Sequence, residues 1–308
     1  MRVLVTGAAG FIGSYIAVTL AEQGFDVTCL DNLSRAKKYA LKLLGEHGLE
    51  LVKADIRHPL DIPPPDWVVH CAAYISVEES IVKPAEYCDV NVTGTVKLFK
   101  HLYGKGTRNF LYVSSAAVYG KPLKLPVPED HPLNPLSPYG ASKVSAEVFV
   151  RTFSRYLPGY NYVIVRPFNV YGPGQSGEYA GVIAKFAERL VKGEPPVIYG
   201  SGEQTRDFIY IQDLTDAILT IITENVVNET FNVGTGMPTT INTLAKLMAE
   251  IAGVDVEPIH APPRPGDIPH SYADITKIRK VGWRPKTALN EGLRRTYQWH
   301  KNKLRIQR

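Results

Sequence analysis

A doubly wound α/β fold, a mostly parallel sheet with helices on both faces and a smaller loop-rich lobe after it, is what this sequence predicts. Three observations carry that expectation. Short apolar runs alternate with helical periodicity from the first residues to about residue 170. One of these runs, 66–73, is too apolar to alternate and suits a strand buried on both faces. Past residue 170 the texture changes: Pro and Gly become dense at 172–174, 195–196, 200–202 and 262–266, and the helices between, such as 182–191 and 213–222, are short. Residues 1–169 are therefore expected to form the sheet lobe and 170–308 the second, with part of 204–234 returning to the first.

In chain order, residues 2–6 read as an apolar strand, followed at once by Gly7, Gly10 and Gly13. A helix with Ile12, Ile16 and Leu20 on one stripe runs to Gly24, and residues 25–30 form a second strand closing on Asp31 and Asn32. Strand, glycine turn, helix, strand and then an acid is the context of a dinucleotide site. The glycines let the backbone approach a pyrophosphate, whose charge sits at the helix N-terminus. Asp31 would bond both ribose hydroxyls and repel a 2′-phosphate, favouring NAD over NADP, while Arg35 and Lys37 close by would blunt that preference. Residues 49–54 read as a third strand ending in Asp55 and Ile56, placed to meet an adenine edge. The fourth, 66–73, holds His70, read as a core residue with its hydrogen bonds satisfied; Trp67 and Trp283 read as packing. A helix over 84–103 leads to a fifth strand, 109–115, whose carboxyl end carries Ser114 and Ser115, where a catalytic hydroxyl would be wanted. A sixth strand is expected over 161–170.

Between the last two lies Ser137-Pro-Tyr139-Gly-Ala-Ser-Lys143. Ser137 suits an N-cap and Pro138 the first helical position. Ala146, Phe149, Val150, Phe153 and Leu157 then mark one buried stripe. Tyr139 and Lys143 stand one turn apart on one face, so phenol and ammonium are expected to share a small volume. A cation beside a phenol favours the phenolate, which would make Tyr139 a usable base.

Composition bounds the partners. Net charge is +5, but Lys and Arg are scattered with no block of five or more, so a nucleic-acid role is not indicated. No run of 18 apolar residues offers a membrane span. The three cysteines, Cys29, Cys71 and Cys88, lack CxxC spacing and suit reduced thiols. With a strand starting at residue 2 leaving no room for a signal peptide, a soluble cytoplasmic protein is expected.

The motifs accumulate in a familiar order: Thr6-Gly7-x-x-Gly10-x-x-Gly13, Asp31-Asn-Leu-Ser34, Asn91-Val-Thr-Gly-Thr95, Ser115-Ala-Ala-Val-Tyr-Gly120, Tyr139-x-x-x-Lys143, Arg166-Pro-Phe-Asn169 and Arg206-Asp-Phe-Ile-Tyr210. Over nearly its whole length, up to Gly282-Trp-Arg-Pro285, the chain resembles the extended short-chain dehydrogenase/reductases, and within them the UDP-galactose (UDP-glucose) 4-epimerases. The resemblance implies a Rossmann sheet, resident NAD and a UDP-sugar substrate whose carbon 4 is inverted through a 4-keto sugar. It implies Tyr139 as base, Lys143 as its activator and a ligand of the nicotinamide ribose, and Ser115 as hydroxyl partner. It assigns to NAD the residues Gly7, Gly10, Phe11, Ile12, Gly13, Asp31, Asn32, Asp55, Ile56, Cys71, Ala72, Ala73, Asn91, Ser114 and Pro167, besides Tyr139 and Lys143. It assigns to the UDP-sugar Ser115, Tyr139, Asn169, Arg206, Arg264, Asp267 and Ser271, and implies no metal. Arginines suit the diphosphate, which wants bidentate, permanently charged donors.

Related dehydratases and decarboxylases carry acids directly after the Ser/Thr; this chain has Ala116 and Ala117, which implies epimerisation rather than elimination. Ser271 stands where hexose-restricted relatives tend to have Tyr, which implies room for UDP-GlcNAc and UDP-GalNAc. A UDP-glucuronate 4-epimerase, or another sugar-nucleotide epimerase or reductase of the superfamily, is the alternative. A silent NAD-binding regulator typically loses the Tyr/Lys pair that this chain keeps. Helices 84–103 and 138–157 carry more apolar surface than one sheet contact requires, so a homodimer through a four-helix interface is expected, as the resemblance also implies.

Overall fold

The structure is a computed structural model and describes residues 1–306 apart from Ser176, Glu178, Tyr179 and Pro265, with side chains to residue 304. The chain opens with β1 (Arg2–Thr6), α1 (Phe11–Glu22), β2 (Asp26–Asp31), α2 (Lys38–Glu46), β3 (Leu51–Lys53) and β4 (Trp67–His70). Next come α3 (Val77–Val82), α4 (Pro84–Cys88), α5 (Thr95–Gly104), β5 (Asn109–Val113), α6 (Pro138–Tyr156) and β6 (Asn161–Pro167). The second half holds β7 (Asn169–Tyr171), α7 (Val182–Leu190), β8 (Val197–Tyr199), β9 (Thr205–Arg206), β10 (Phe208–Tyr210), α8 (Ile211–Thr223) and β11 (Glu229–Val233). It ends with β12 (Thr239–Thr240), α9 (Ile241–Ala252), β13 (Ile259–Ala261), β14 (His270–Ser271), α10 (Thr276–Arg279) and α11 (Leu289–Ile306).

A seven-stranded sheet of order β11-β6-β5-β4-β1-β2-β3, parallel throughout, is the centre of the molecule. Its strands are apolar without alternation because both faces are covered. Val3 and Val5 of β1 face a layer containing Ile16 and Leu20 of α1 and Leu214 and Ile218 of α8. Leu4 points the other way, to the layer of Leu98 and Leu102 from α5 and Ala146 and Val150 from α6. Strand β1 pairs with β2 on one side and β4 on the other, so the order reverses there and a crevice opens at the carboxyl ends.

Several elements differ from the sequence expectation. The strand foreseen over 161–170 is two strands. At Phe168 the backbone N–H still donates to Val233 O of β11, but that of Asn169 donates to Asp207 O, and β7 pairs with β10 outside the main sheet. That change of partner depends on residues far along the chain. The helix foreseen over 84–103 is α4 and α5 joined by a π-helical turn, Asp89–Gly94, which carries Asn91. Helix α2 was not foreseen, and β3 is shorter than 49–54. Among the described residues no helix is long and apolar enough to cross a membrane. Cys29 is buried, Cys71 half-buried and Cys88 exposed.

Candidate active site

A cavity of about 250 Å³ fills the crevice at the carboxyl ends of β1, β2 and β4. Gly7, Gly10, Phe11, Ile12 and Gly13 form its floor, Asp31, Asn32, Asp55 and Ile56 one wall, and Cys71, Ala72 and Ala73 another. The floor requires glycine. Gly7 has φ +69°, and a Cβ on it would stand 2.7 Å from Ala72 N; a Cβ on Gly13 would stand 2.2 Å from Gly7 O. Gly10 is the N-cap of α1, and no side chain caps that helix end, so its first N–H groups are left for a ligand.

The walls are set by hydrogen bonds. The Asp31 carboxylate accepts from Ala9 N at 3.1 Å and Leu33 N at 2.7 Å. Burial raises its pKa and those two donors oppose the rise. Asp55 accepts from Arg57 through both backbone and guanidinium, and from Asn32 Nδ2 at 2.9 Å, which together hold it well below the usual carboxylate range. Ile56 is buried beside it. The Asn32 amide is thus spent on Asp55, with its oxygen accepting from Ser34.

Three residues expected around the cofactor are fastened within the protein. Asn91 accepts from Tyr74 N at 2.8 Å and donates to Tyr74 O and Ser142 Oγ, each at 2.9 Å, so it pins the segment after β4. The Ser114 hydroxyl donates to Glu147 at 2.6 Å, inside a buried network in which Arg166 holds Glu147 at 2.6 and 3.0 Å. Pro167 ends β6, paired with Val233. Asn91, Ser114 and Pro167 lie outside the cavity lining, as do Ser115, Tyr139 and Lys143. His70 bridges Thr6 Oγ1 and Thr95 Oγ1 at 2.7 and 2.9 Å, and burial lowers it to about 3, so it stays neutral in the core.

Tyr139, Lys143 and Ser115 meet above the carboxyl end of β5. Helix α6 starts as expected: Pro138 is its first residue and the Ser137 hydroxyl accepts from Gly140 N at 3.1 Å. That cap sets the phase that buries Tyr139 and Lys143. Ser115 Oγ accepts from Ala117 N at 3.1 Å, and the Ser115 hydroxyl is near enough to the Tyr139 phenol to favour its charged form. The ammonium expected beside Tyr139 is held by a backbone carbonyl. The Lys143 ammonium donates to Val113 O at 2.8 Å and lies 4.8 Å from the Tyr112 ring centroid. Burial draws it down to about 8, with Cys71 and Glu147 opposing. Burial also raises the Tyr139 phenol above its ordinary value, and the relief comes from Ser115. Burial is the largest influence on both groups.

The remaining residues gather on the second half of the chain. Arg206 pairs with Asp267 and donates to Ile268 O at 2.6 Å; Ser271 lies beside Arg206 in the register of β14 with β9. Asn169 Nδ2 donates to Asp207 O at 3.0 Å. Arg264 stands 4.0 Å from the Tyr199 ring centroid and 3.8 Å from Glu78 of α3. Sequence reasoning missed Asp207, whose buried carboxylate accepts from Thr235 N and Oγ1, Gly236 N and Ala273 N. It ties together the segments carrying Asn169, Arg206 and Ser271, and the Arg-Asp adjacency was its only local signal.

The glycine floor, the uncapped helix end and the acid at the end of β2 fit a dinucleotide. Comparisons with known proteins agree. The family model described as the NAD dependent epimerase/dehydratase family matches residues 3–234. UDP-glucose 4-epimerase of Mycolicibacterium smegmatis is 40% identical over 98% of this chain and 99% of its own. UDP-glucose 4-epimerase from Thermotoga maritima, solved with UDP-glucose, superposes with TM-score 0.91 at 38% identity, covering 99% of this chain and 100% of that one. UDP-N-acetylglucosamine 4-epimerase from Methanobrevibacter ruminantium, in complex with UDP-N-acetylmuramic acid, gives TM-score 0.92 at 36% identity over 98% of each chain.

Proposed function

The chain belongs to the NAD-dependent epimerase/dehydratase family, and from that premise we propose that it inverts carbon 4 of a UDP-hexose, interconverting UDP-glucose and UDP-galactose. The observation that carries the proposal is the buried Tyr139 at the head of α6 with the Ser115 hydroxyl close to its phenol, followed by Ala116 and Ala117, which offer no further acid or base. NAD, when bound, supplies the site that takes up a hydride from carbon 4 and gives it back.

Tyr139 accepts the proton of the carbon-4 hydroxyl and later returns it. Ser115, already accepting from Ala117, has its own proton to donate to the phenolic oxygen as charge develops there. Lys143 supplies positive charge one turn along α6, being largely protonated at neutral pH with a pKa of about 8. Arg206 and Arg264 hold the diphosphate, Asn169 and Asp267 support that grip, and the sugar stays loosely held so that the flat 4-keto form can present its other face. Such a cycle needs binding energy placed away from the reacting carbon.

Ser271, next to Arg206 in register, leaves space for an N-acetyl group, and the similarity to a UDP-N-acetylglucosamine 4-epimerase favours UDP-GlcNAc and UDP-GalNAc as further substrates. Residues 1–169, with part of 204–234 returning to them, act as the cofactor lobe and the rest of 170–308 as the substrate lobe. Exposed Ile81 and Val82 of α3 and Val148 and Phe149 of α6, on packed helices, suit a homodimer face, which light scattering at micromolar concentration tests against a monomer mass.

The deciding experiment assays the purified chain with UDP-galactose, UDP-GlcNAc and UDP-glucuronate, no cofactor added, and analyses the nucleotide released on denaturation. Epimerisation at carbon 4 of the first with NAD released is expected. Turnover of UDP-glucuronate alone, or dehydration instead of inversion, would overturn the proposal.

A further inference from the structure

Arg35 stands four residues beyond Asp31, on the loop between β2 and α2, and its side chain lines the cavity with Asp31, Ser34 and Lys37. In sequence it is a cation within reach of the ribose end of a dinucleotide. In space its guanidinium is engaged across the cavity rim. Its two terminal nitrogens donate to the two carboxylate oxygens of Glu79 on α3, at 2.6 and 2.9 Å, and the guanidinium carbon lies 3.5 Å from the Tyr74 ring centroid.

Both supports are themselves fastened. The Tyr87 hydroxyl donates to Glu79 at 2.9 Å, and Lys83 Nζ stands 3.9 Å from the same carboxylate. Tyr74 is pinned at N–H and carbonyl by Asn91. A planar fork matched to a carboxylate and stacked on an aromatic face has little freedom to turn elsewhere. The Glu79 side chain is 15% exposed, so the pair is better shielded than an ordinary surface pair.

We propose that Glu79 is a cofactor-selectivity residue: by holding the Arg35 fork against Tyr74, it withholds from a ribose 2′-phosphate the guanidinium that would bind it. It thereby sharpens the preference for NAD that Asp31 begins. The inference rests on the cofactor site described above and deepens it. A 2′-phosphate entering that wall meets the Asp31 carboxylate and an Arg35–Glu79 pair whose charges cancel. Glu79→Gln keeps the side-chain volume and an acceptor oxygen but removes the cancelling charge. The wall then gains a full positive charge where the phosphate arrives.

The test reads binding rather than turnover. The intact chain is titrated with NADH and with NADPH by nucleotide fluorescence, with 5′-AMP and 2′,5′-ADP as competitors. Glu79→Gln is expected to narrow the NADH-to-NADPH affinity ratio by about tenfold, the effect of one charge-assisted contact. The double variant Arg35→Met/Glu79→Gln is expected to restore the original ratio. Arg35→Met alone is expected to leave the ratio where it began, since the fork is already withdrawn. An unchanged ratio in folded Glu79→Gln would overturn the proposal. So would a narrowing that survives in the double variant, which would assign it to Lys37 or Lys83. If Glu79→Gln does not fold, Arg35→Met decides: a selective loss of NADPH affinity would show the fork to be available already. Failure of the unaltered chain to bind either nucleotide would instead overturn the cofactor site, and this inference with it.

Discussion

The Lys143 ammonium donates to the Val113 carbonyl, 2.8 Å away, at the last residue of β5 and two residues before Ser115. The strand end that presents the hydroxyl therefore also anchors the cation, and Tyr139 is relieved by the one while standing a turn from the other. Buried and near a pKa of about 8, Lys143 keeps its charge below that pH and sheds it above. Turnover is expected to fall on the alkaline side with an apparent pKa near 8, and a Lys143→Met variant is expected to lose that limb along with most of its activity. A pH–rate profile of both proteins checks this. Stability has its own sign: an unfolded lysine holds its proton to about 10.4, so between these values the unfolded chain binds more protons and unfolding free energy rises with pH.

Tyr139→Phe is expected to reduce turnover by about 10²–10⁴-fold, the usual worth of general acid–base catalysis. The dinucleotide should remain bound, as nucleotide release on denaturation would show. Full activity in this variant would remove Tyr139 from the mechanism.

Gly7→Ala tests the floor of the cavity. The residue sits at φ +69° and the new methyl would meet Ala72 N at 2.7 Å, so either strand end must give way. A loss of about 1–3 kcal/mol in denaturant melts is expected, with the bound dinucleotide lost first.

Ser271→Tyr is expected to abolish turnover of UDP-GlcNAc while sparing UDP-galactose. Parallel assays of the two substrates check it, and equal retention of both would refute the gate.

Arg166→Met should cost about 3–5 kcal/mol, because it leaves Glu147 buried with the better of its two charged partners gone. Glu147→Leu in the same chain should recover part of that loss. Thermal melts of the single and double variants distinguish pairing from packing.

Much of this was legible locally, and what was not has a common cause. The glycine floor, Asp31 and the cap that phases Tyr139 depend on residues a few positions apart, where spacing and backbone geometry carry the information. Asn91 and Ser114 were expected at the cofactor because they sit in the right runs. What the runs do not show is that their side chains bond Tyr74 and Glu147, 17 and 33 residues away. The same holds for Arg35, whose partner lies 44 residues on, and for Asp207, whose donors include one 66 residues on. Lys143 differs: helical spacing brings it to the expected face, but the burial that lowers its pKa and the Cys71 and Glu147 groups that oppose it are not visible in the string.

The break at Phe168 has a consequence for how the protein can be cut. Leaving β6, the chain runs through β7 into the outer lobe, yet β10 leads straight into α8, which packs on α1, and β11 comes home to lie against β6. A fragment ending at residue 169 would keep six of the seven strands of the main sheet while stripping the oily covering from one side of α1. Neither half is a detachable module, and a designer wishing to graft a new sugar pocket onto this scaffold must exchange loops within the weave rather than splice at a seam.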